Sequence, residues 1–302
     1  MSLPKLYTAL ITPFDNSGSI DFESLNNLIL DHLKKNVSFV LFGTTGECPT
    51  LKSRERKSIL EYVSTILDLY PDLHLDYKKN IMIGVGGNNT QKCIDNVLVA
   101  KKYGFTLFMV TTPYYNKPSQ QGMIEHFKKI ASTYITDRFI MYNVPGRCIV
   151  NLLPESVKII SESCSNYIGI KEASGNLAQM IKIKKLYLAN FHIYCGDDSL
   201  VIPSMSMGVA YGLISVISNA IPETMNCICT DPIDPLVIDM YYKLFDLMEL
   251  LFVEPNPSPI KYLCMSMQKI HFDSVRLPLI TVQSEDLKCK LNKFAEQIKE
   301  IS

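Results

Sequence analysis

A lysine closes a short apolar run in the stretch Tyr167-Ile168-Gly169-Ile170-Lys171-Glu172-Ala173-Ser174-Gly175. The run has the make-up of a strand buried on both faces. Desolvation penalises a charged amine at such a place, so it must be neutralised, be paired or do chemistry. Glu172 points to the other face of a continuing strand and is no obvious partner. Two readings stand side by side. Lys171 marks the strand's exit into solvent, or it is a desolvated amine of lowered pKa, ready to condense with a carbonyl compound. Other stretches carry groups that suit the second reading. Gly43-Thr44-Thr45-Gly46-Glu47 offers two hydroxyls and flexible backbone N–H groups for a carboxylate, and Thr111-Thr112-Pro113-Tyr114-Tyr115 a pair of phenols. Tyr142-Asn143-Val144-Pro145-Gly146-Arg147 gives a phenol, a turn and a guanidinium. Together they fit an amine that attacks the keto carbon of a small 2-oxo acid, Thr44 and Thr45 holding its carboxylate. A phenol relayed through another hydroxyl moves the protons, and Arg147 grips a second carboxylate bidentately.

Each of these groups also has a plain explanation: Thr-Gly pairs make turns, tyrosines fill cores with a wet hydroxyl, and Asp-Asp caps a helix. What sets them apart is where the elements put them. Strand-like runs occur at Leu6–Thr12, Phe39–Phe42, Ile81–Val85, Thr106–Thr111, Phe139–Tyr142, Tyr167–Lys171, His192–Cys195 and Gly212–Val216. Helical spacing separates them, as in Leu25, Leu28, Ile29 and Leu33, or Ile59, Val63, Ile66 and Leu67. Eight strands alternating with helices is the rhythm of an α/β fold, a (β/α)8 TIM barrel, whose active sites lie at the C-terminal strand ends. A doubly wound sheet would show an early glycine-rich phosphate turn. Gly84-Val85-Gly86-Gly87 lacks that GxGxxG spacing. Asp197-Asp198 after the seventh strand argues against a phosphate in the substrate. Past the eighth strand the pattern turns to helices alone, with apolar stripes such as Val237, Leu244, Met248 and Leu251, or Leu287, Leu291, Phe294 and Ile298. The expected division is a barrel over 1–224 and a helical region over 225–302, with a surface loop around Tyr70-Pro71-Asp72-Leu73-His74.

Composition narrows the setting. At 47% hydrophobic and 20% charged, the 302-residue chain can bury a large core. Thirty basic and thirty acidic side chains cancel, which disfavours nucleic acid as a partner. Nine cysteines without repeated spacing read as reduced thiols, and the start of the chain has no signal- or transit-peptide pattern. No apolar run reaches the roughly 18 residues of a membrane span, so the expected location is the cytoplasm. The five histidines, His32, His74, His126, His192 and His271, lack metal-ligand spacing, and Cys227-Ile228-Cys229 has no second pair. No metal and no organic cofactor is called for.

The motifs GTTGE at Gly43–Glu47, PYYNKPSQ at Pro113–Gln120, YNVPGR at Tyr142–Arg147, GIKEASGN at Gly169–Asn176 and LFVEPNPSPIK at Leu251–Lys261 belong together. By them the chain resembles the dihydrodipicolinate synthase / N-acetylneuraminate lyase family, from Thr8 to Pro278. The arginine of YNVPGR and the second tyrosine of PYYN favour the synthase branch over the sialic acid lyases. The resemblance implies a Schiff-base lyase condensing pyruvate with aspartate semialdehyde, in lysine and diaminopimelate biosynthesis. It implies that Lys171 forms the imine and that Tyr142 donates and accepts protons, with Thr44 and Tyr115 completing a relay. It further implies that Thr45 and the Ile214 backbone hold pyruvate and that Arg147 meets the semialdehyde carboxylate. Tyr115 would reach in from a neighbouring subunit of a homotetramer built as a dimer of dimers. Cys148-Ile149 stand where the family usually has Thr-Gly, which bears on the second substrate. Ser53 and Arg56 stand where lysine-inhibited members carry histidines, and Cys48-Pro49 replace a small polar pair, although Tyr114 and Asn88 are present. Weak or absent inhibition by lysine is expected. The rival readings are a sister pyruvate-dependent aldolase, such as N-acetylneuraminate lyase or a 2-keto-3-deoxy sugar acid aldolase, and a non-catalytic barrel acting as a metabolite sensor.

Overall fold

The computed structural model describes residues 3–70 and 77–301. The residues Pro71–His74 of the expected surface loop, His74 included, lie outside them. Eight parallel strands close on themselves in chain order: β1 (Leu6–Ala9), β2 (Ser38–Leu41), β3 (Met82–Gly84), β4 (Leu107–Thr111), β5 (Arg138–Asn143), β6 (Tyr167–Glu172), β7 (His192–Cys195) and β8 (Gly212–Ser215). β8 returns to β1 through the pairs Leu6 with Leu213 and Tyr7 with Ile214. This is the expected barrel.

Alternation along the strands explains the two separate apolar clusters. Tyr7, Val40, Met82, Met109, Ile140, Tyr142, Tyr194 and Ile214 fill the interior, where Tyr7 and Tyr194 meet edge to face at 5.6 Å. Their neighbours in sequence, such as Leu6, Phe39, Ile83, Phe108, Met141 and Leu213, pack outward against the helices. Gly169 lies two residues before Lys171, opposite the inward Ile140. A Cβ there would sit 2.3 Å from the His192 carbonyl oxygen, so only glycine lets β7 approach below the lysine.

The first strand is shorter than its apolar run: Leu10 N still donates to the Val40 carbonyl, but Ile11 and Thr12 leave the ladder. Ile11 N donates to Asn219 Oδ1, and Thr12 Oγ1 donates to the Gly46 carbonyl. The helix Pro235–Leu250 starts at Asp234, whose carboxylate accepts from Leu236 N, with proline at the first helical position. It buries Val237 and Met248 with Leu244 packed alongside, as its stripe predicts. Leu287 and Leu291 are buried in the last helix, Glu285–Ile301. The all-helical expectation fails between Met267 and Ser284, which form neither helix nor strand. That stretch spends its backbone donors on side chains elsewhere: His271 N on Ser24, Arg276 N on Glu47, Gln283 N and Ser284 N on Glu254.

Candidate active site

The register places Tyr142 of β5 directly beside Lys171 of β6, and both side chains point inward. Lys171 is 6% exposed, and its Nζ lies 4.6 Å above the centroid of the Tyr142 ring. It forms no salt bridge with any described carboxylate. At that distance the π face of the ring and the amine are in cation–π range. The next residues in register, Asn143 and Glu172, point outward into a buried polar network. Glu172 accepts from Asn143 Nδ2 at 3.0 Å, Gln179 Nε2 at 2.9 Å and Ser174 N at 3.0 Å. Burial pushes its carboxyl up, against those hydrogen bonds. Asn151 bridges Asn143 and Gln179, so the network ties together the loops following β5 and β6. Lys171 and Tyr142 therefore stand on strand ends with little freedom to move.

The loop after β2 holds the two threonines. Thr45 is 3% exposed and its Oγ1 accepts from Asn256 Nδ2 at 3.1 Å, while Thr44 is half-buried. Glu47 ends the loop in a left-handed conformation, φ 50°, with its carboxylate fully buried. Lys261 Nζ, equally buried, donates to Glu47 Oε1 at 2.5 Å and to the Ser274 carbonyl at 2.7 Å, and lies 4.2 Å above the Phe14 ring. Arg276 N donates to Glu47 Oε2 at 2.9 Å. Burial pushes Lys261 down to about 8, against the pull of Glu47. Sequence reasoning had assigned Glu47, Asn256 and Lys261 no role beyond their motifs. A lysine in the apolar setting of Pro259-Ile260-Lys261-Tyr262-Leu263 is the same signal that marked Lys171.

The remaining candidates divide. Ile214 is buried on β8, and the loop following that strand is fixed by Asp198, whose Oδ2 accepts from Val216 N and Ile217 N at 3.0 Å each. Burial pushes Asp197 up, with the charge of Lys171 acting the other way. Arg147 is exposed on the short turn Pro145–Cys148. Cys148 packs inward beside Tyr142 and Val144, and burial pushes its thiol up. Ile149 is 69% exposed with φ 63°, a strained place for a β-branched residue. Tyr115 is 87% exposed, also at positive φ, so within one chain it is not packed beside Lys171. A cavity of about 700 Å³ adjoins the rim, lined by Thr44, Tyr114 and Arg147 and farther out by Ser53, Arg56 and Lys92. Arg56 donates to the Gly84 carbonyl and lies 4.8 Å above the Phe42 ring.

Among the described residues no group of three or more His, Cys, Asp or Glu side chains is placed to hold a metal. The buried His32 bonds the Leu28 carbonyl and Thr8, and His126 bonds Thr90; burial pushes both down to about 4. No described helix is long and apolar enough to cross a membrane.

Residues 2–298 match the model of the dihydrodipicolinate synthetase family. The 4-hydroxy-tetrahydrodipicolinate synthase of Bacillus subtilis (strain 168) is 36% identical over 99% of this chain and 100% of its own. The dihydrodipicolinate synthase of Aquifex aeolicus superposes with a TM-score of 0.89 at 31% identity, over 99% of this chain and 98% of that one. A dihydrodipicolinate synthase variant characterised as monomeric superposes at 0.88, with 34% identity over 98% and 96%.

Proposed function

The chain belongs to the dihydrodipicolinate synthetase family, and on that premise we propose that it condenses pyruvate with aspartate semialdehyde to 4-hydroxy-tetrahydrodipicolinate through an imine on Lys171. The observation that carries this reading is a lysine amine buried at the rim of a barrel, stacked on a tyrosine and bound to no described carboxylate. In its neutral form such an amine attacks the keto carbon of pyruvate; loss of water gives the imine, which acidifies the adjacent methyl. The resulting enamine carbon attacks the aldehyde. The amino group of the semialdehyde then adds to the imine carbon and expels the Lys171 amine, which closes the ring and frees the product. Tyr142 moves the protons, with Thr44 and a Tyr115 from a second copy relaying them to solvent. Thr45 and the Ile214 backbone take the pyruvate carboxylate, and Arg147 takes that of the semialdehyde.

The exposure of Tyr115, with its strained backbone, supports its reaching into a neighbour within a homotetramer arranged as a dimer of dimers. The nine free thiols support a cytoplasmic setting. Cations at Arg56 and Lys92 in the adjoining cavity support weak inhibition by free lysine. The division into a barrel, 1–224, and a helical region, 225–302, belongs to the same proposal, with its boundary inside the helix Pro222–Thr230. The helical region then serves as a buttress for the loop after β2.

Borohydride treatment in the presence of pyruvate tests the imine. Lys171 should acquire the reduced adduct, seen by peptide mass, and Lys171→Ala should lose both adduct and turnover. Turnover surviving Lys171→Ala sinks the imine mechanism. The altered loop at Cys148-Ile149 favours one other reading, a sister aldolase. Aspartate semialdehyde and N-acetylmannosamine, offered side by side, separate the two, and preference for the sugar moves the chain to the sister activity.

A further inference from the structure

The Thr45 hydroxyl has one proton and can accept through its lone pairs. Asn256 Nδ2 donates to that oxygen at 3.1 Å, and no described acceptor takes the Thr45 proton. The proton is thereby left for whatever enters the site. Asn256 is 5% exposed, and its Oδ1 finds no partner among the described residues, so the side chain gives up half its bonding capacity to hold this contact. Its own position is fixed from both sides. Glu254, two residues earlier, accepts from Gln283 N and Ser284 N, and Ser258 Oγ donates to the Ile280 carbonyl at 2.7 Å. Lys261, five residues on, closes the buried pair with Glu47, at the far end of the loop that carries Thr45.

We propose that Asn256 is a positioning residue for the 2-oxo acid: by donating to Thr45 Oγ1 it fixes that hydroxyl as a donor toward the substrate carboxylate. This rests on the reading of Thr45 as a pyruvate-holding residue. The contact is made equally in the ground and transition states, so its loss raises KM for pyruvate and leaves kcat within about two-fold. Asn256→Leu should raise KM by about ten-fold, the size expected for weakening one hydrogen bond to a charged group. Thr45→Val should raise it at least as far, and the double variant should match Thr45→Val alone, because Asn256 acts only through that hydroxyl.

Asn256→Asp, nearly the same shape, gives a second readout should the leucine variant fold poorly. Its carboxylate accepts the Thr45 proton and withdraws it from the substrate. Once protonated, it donates as the amide did. Burial raises such a carboxyl toward accessible pH. The ratio of variant to wild-type KM should therefore be larger at pH 8.5 than at pH 6. A flat ratio, or effects of Asn256→Leu and Thr45→Val that multiply in the double variant, overturns the proposal and makes Asn256 a structural residue. An unchanged KM in Thr45→Val overturns the reading of Thr45, and the proposal with it. A raised KM there with no effect of Asn256→Leu overturns the proposal alone.

Discussion

Replacing Lys261 by methionine isolates the coupling between the helical region and the loop that carries Thr44 and Thr45. Methionine keeps most of the side-chain volume and its packing on Phe14, but it removes the donor to Glu47 and to the Ser274 carbonyl. Glu47 is then a fully buried carboxylate whose remaining donor among the described residues is Arg276 N. Stranding one member of a buried pair costs about 3–5 kcal/mol. A 302-residue chain unfolds with an entropy near 2.1 cal/mol/K per residue, or about 0.6 kcal/mol per degree in all. The expected fall in Tm is therefore about 5–8 °C, read by calorimetry at neutral pH. Pairing Lys261→Met with Glu47→Gln removes the stranded charge and should recover more than half of that loss, since neutral replacements of buried ion pairs are often tolerated. KM for pyruvate should rise in the single variant, because the loop is freed at one end. A Tm shift below about 2 °C, or a double variant as unstable as the sum of the singles, would refute the reasoning that this pair anchors the loop.

Two further outcomes are expected. Ile149 holds φ 63° where the left-handed region costs an L-residue about 1–2 kcal/mol, so Ile149→Gly should raise Tm by roughly 1–3 °C; an unchanged or lowered Tm would show that the strain is relieved by contacts of the side chain. Bidentate hydrogen bonding from Arg276 holds the Glu55 carboxyl down to about 2 from its ordinary 4.5. A depressed carboxylate contributes stability that is present above its unfolded value and lost as pH falls from about 4.5 to 2. Glu55→Gln should accordingly lower Tm at pH 7 and converge on the wild type near pH 2, and a gap constant across that range would exclude the pair as its source.

The barrel was legible because local pattern dictates it: each strand is a short apolar run, and each is followed by helical spacing. Lys171 was legible for a related reason, a charge arriving where the pattern demands an apolar residue. Tyr142 followed once the strands were placed, since neighbours in a parallel barrel share a level at its rim. Glu47 and Lys261 stayed hidden as a pair because no local rule joins residues 214 positions apart. The irregular stretch from Met267 to Ser284 was hidden too, because its backbone is satisfied by Ser24, Glu47 and Glu254, partners that only the folded chain supplies. Tyr115 could be given a role through resemblance alone, since nothing in one chain's spacing indicates a neighbour.

The seam between the chain's two ends bears on how the molecule is born. Thr45 waits for Asn256 across 211 positions, Gly18 for Arg276 across 258, and Asp31 for Lys269 across 238. At a synthesis rate of about 5–20 residues per second, the first strands leave the ribosome on the order of tens of seconds before these partners exist. Lys171 emerges in that interval, as do the strands that flank it. A nascent chain thus holds Lys171 early, while the loop that carries Thr45 still lacks its contacts with Asn256 and Lys261. The stretch from Asn256 to Arg276 therefore works as a completion signal, and a chain that stalls short of it carries Lys171 without the contacts that fix Thr45 and Glu47.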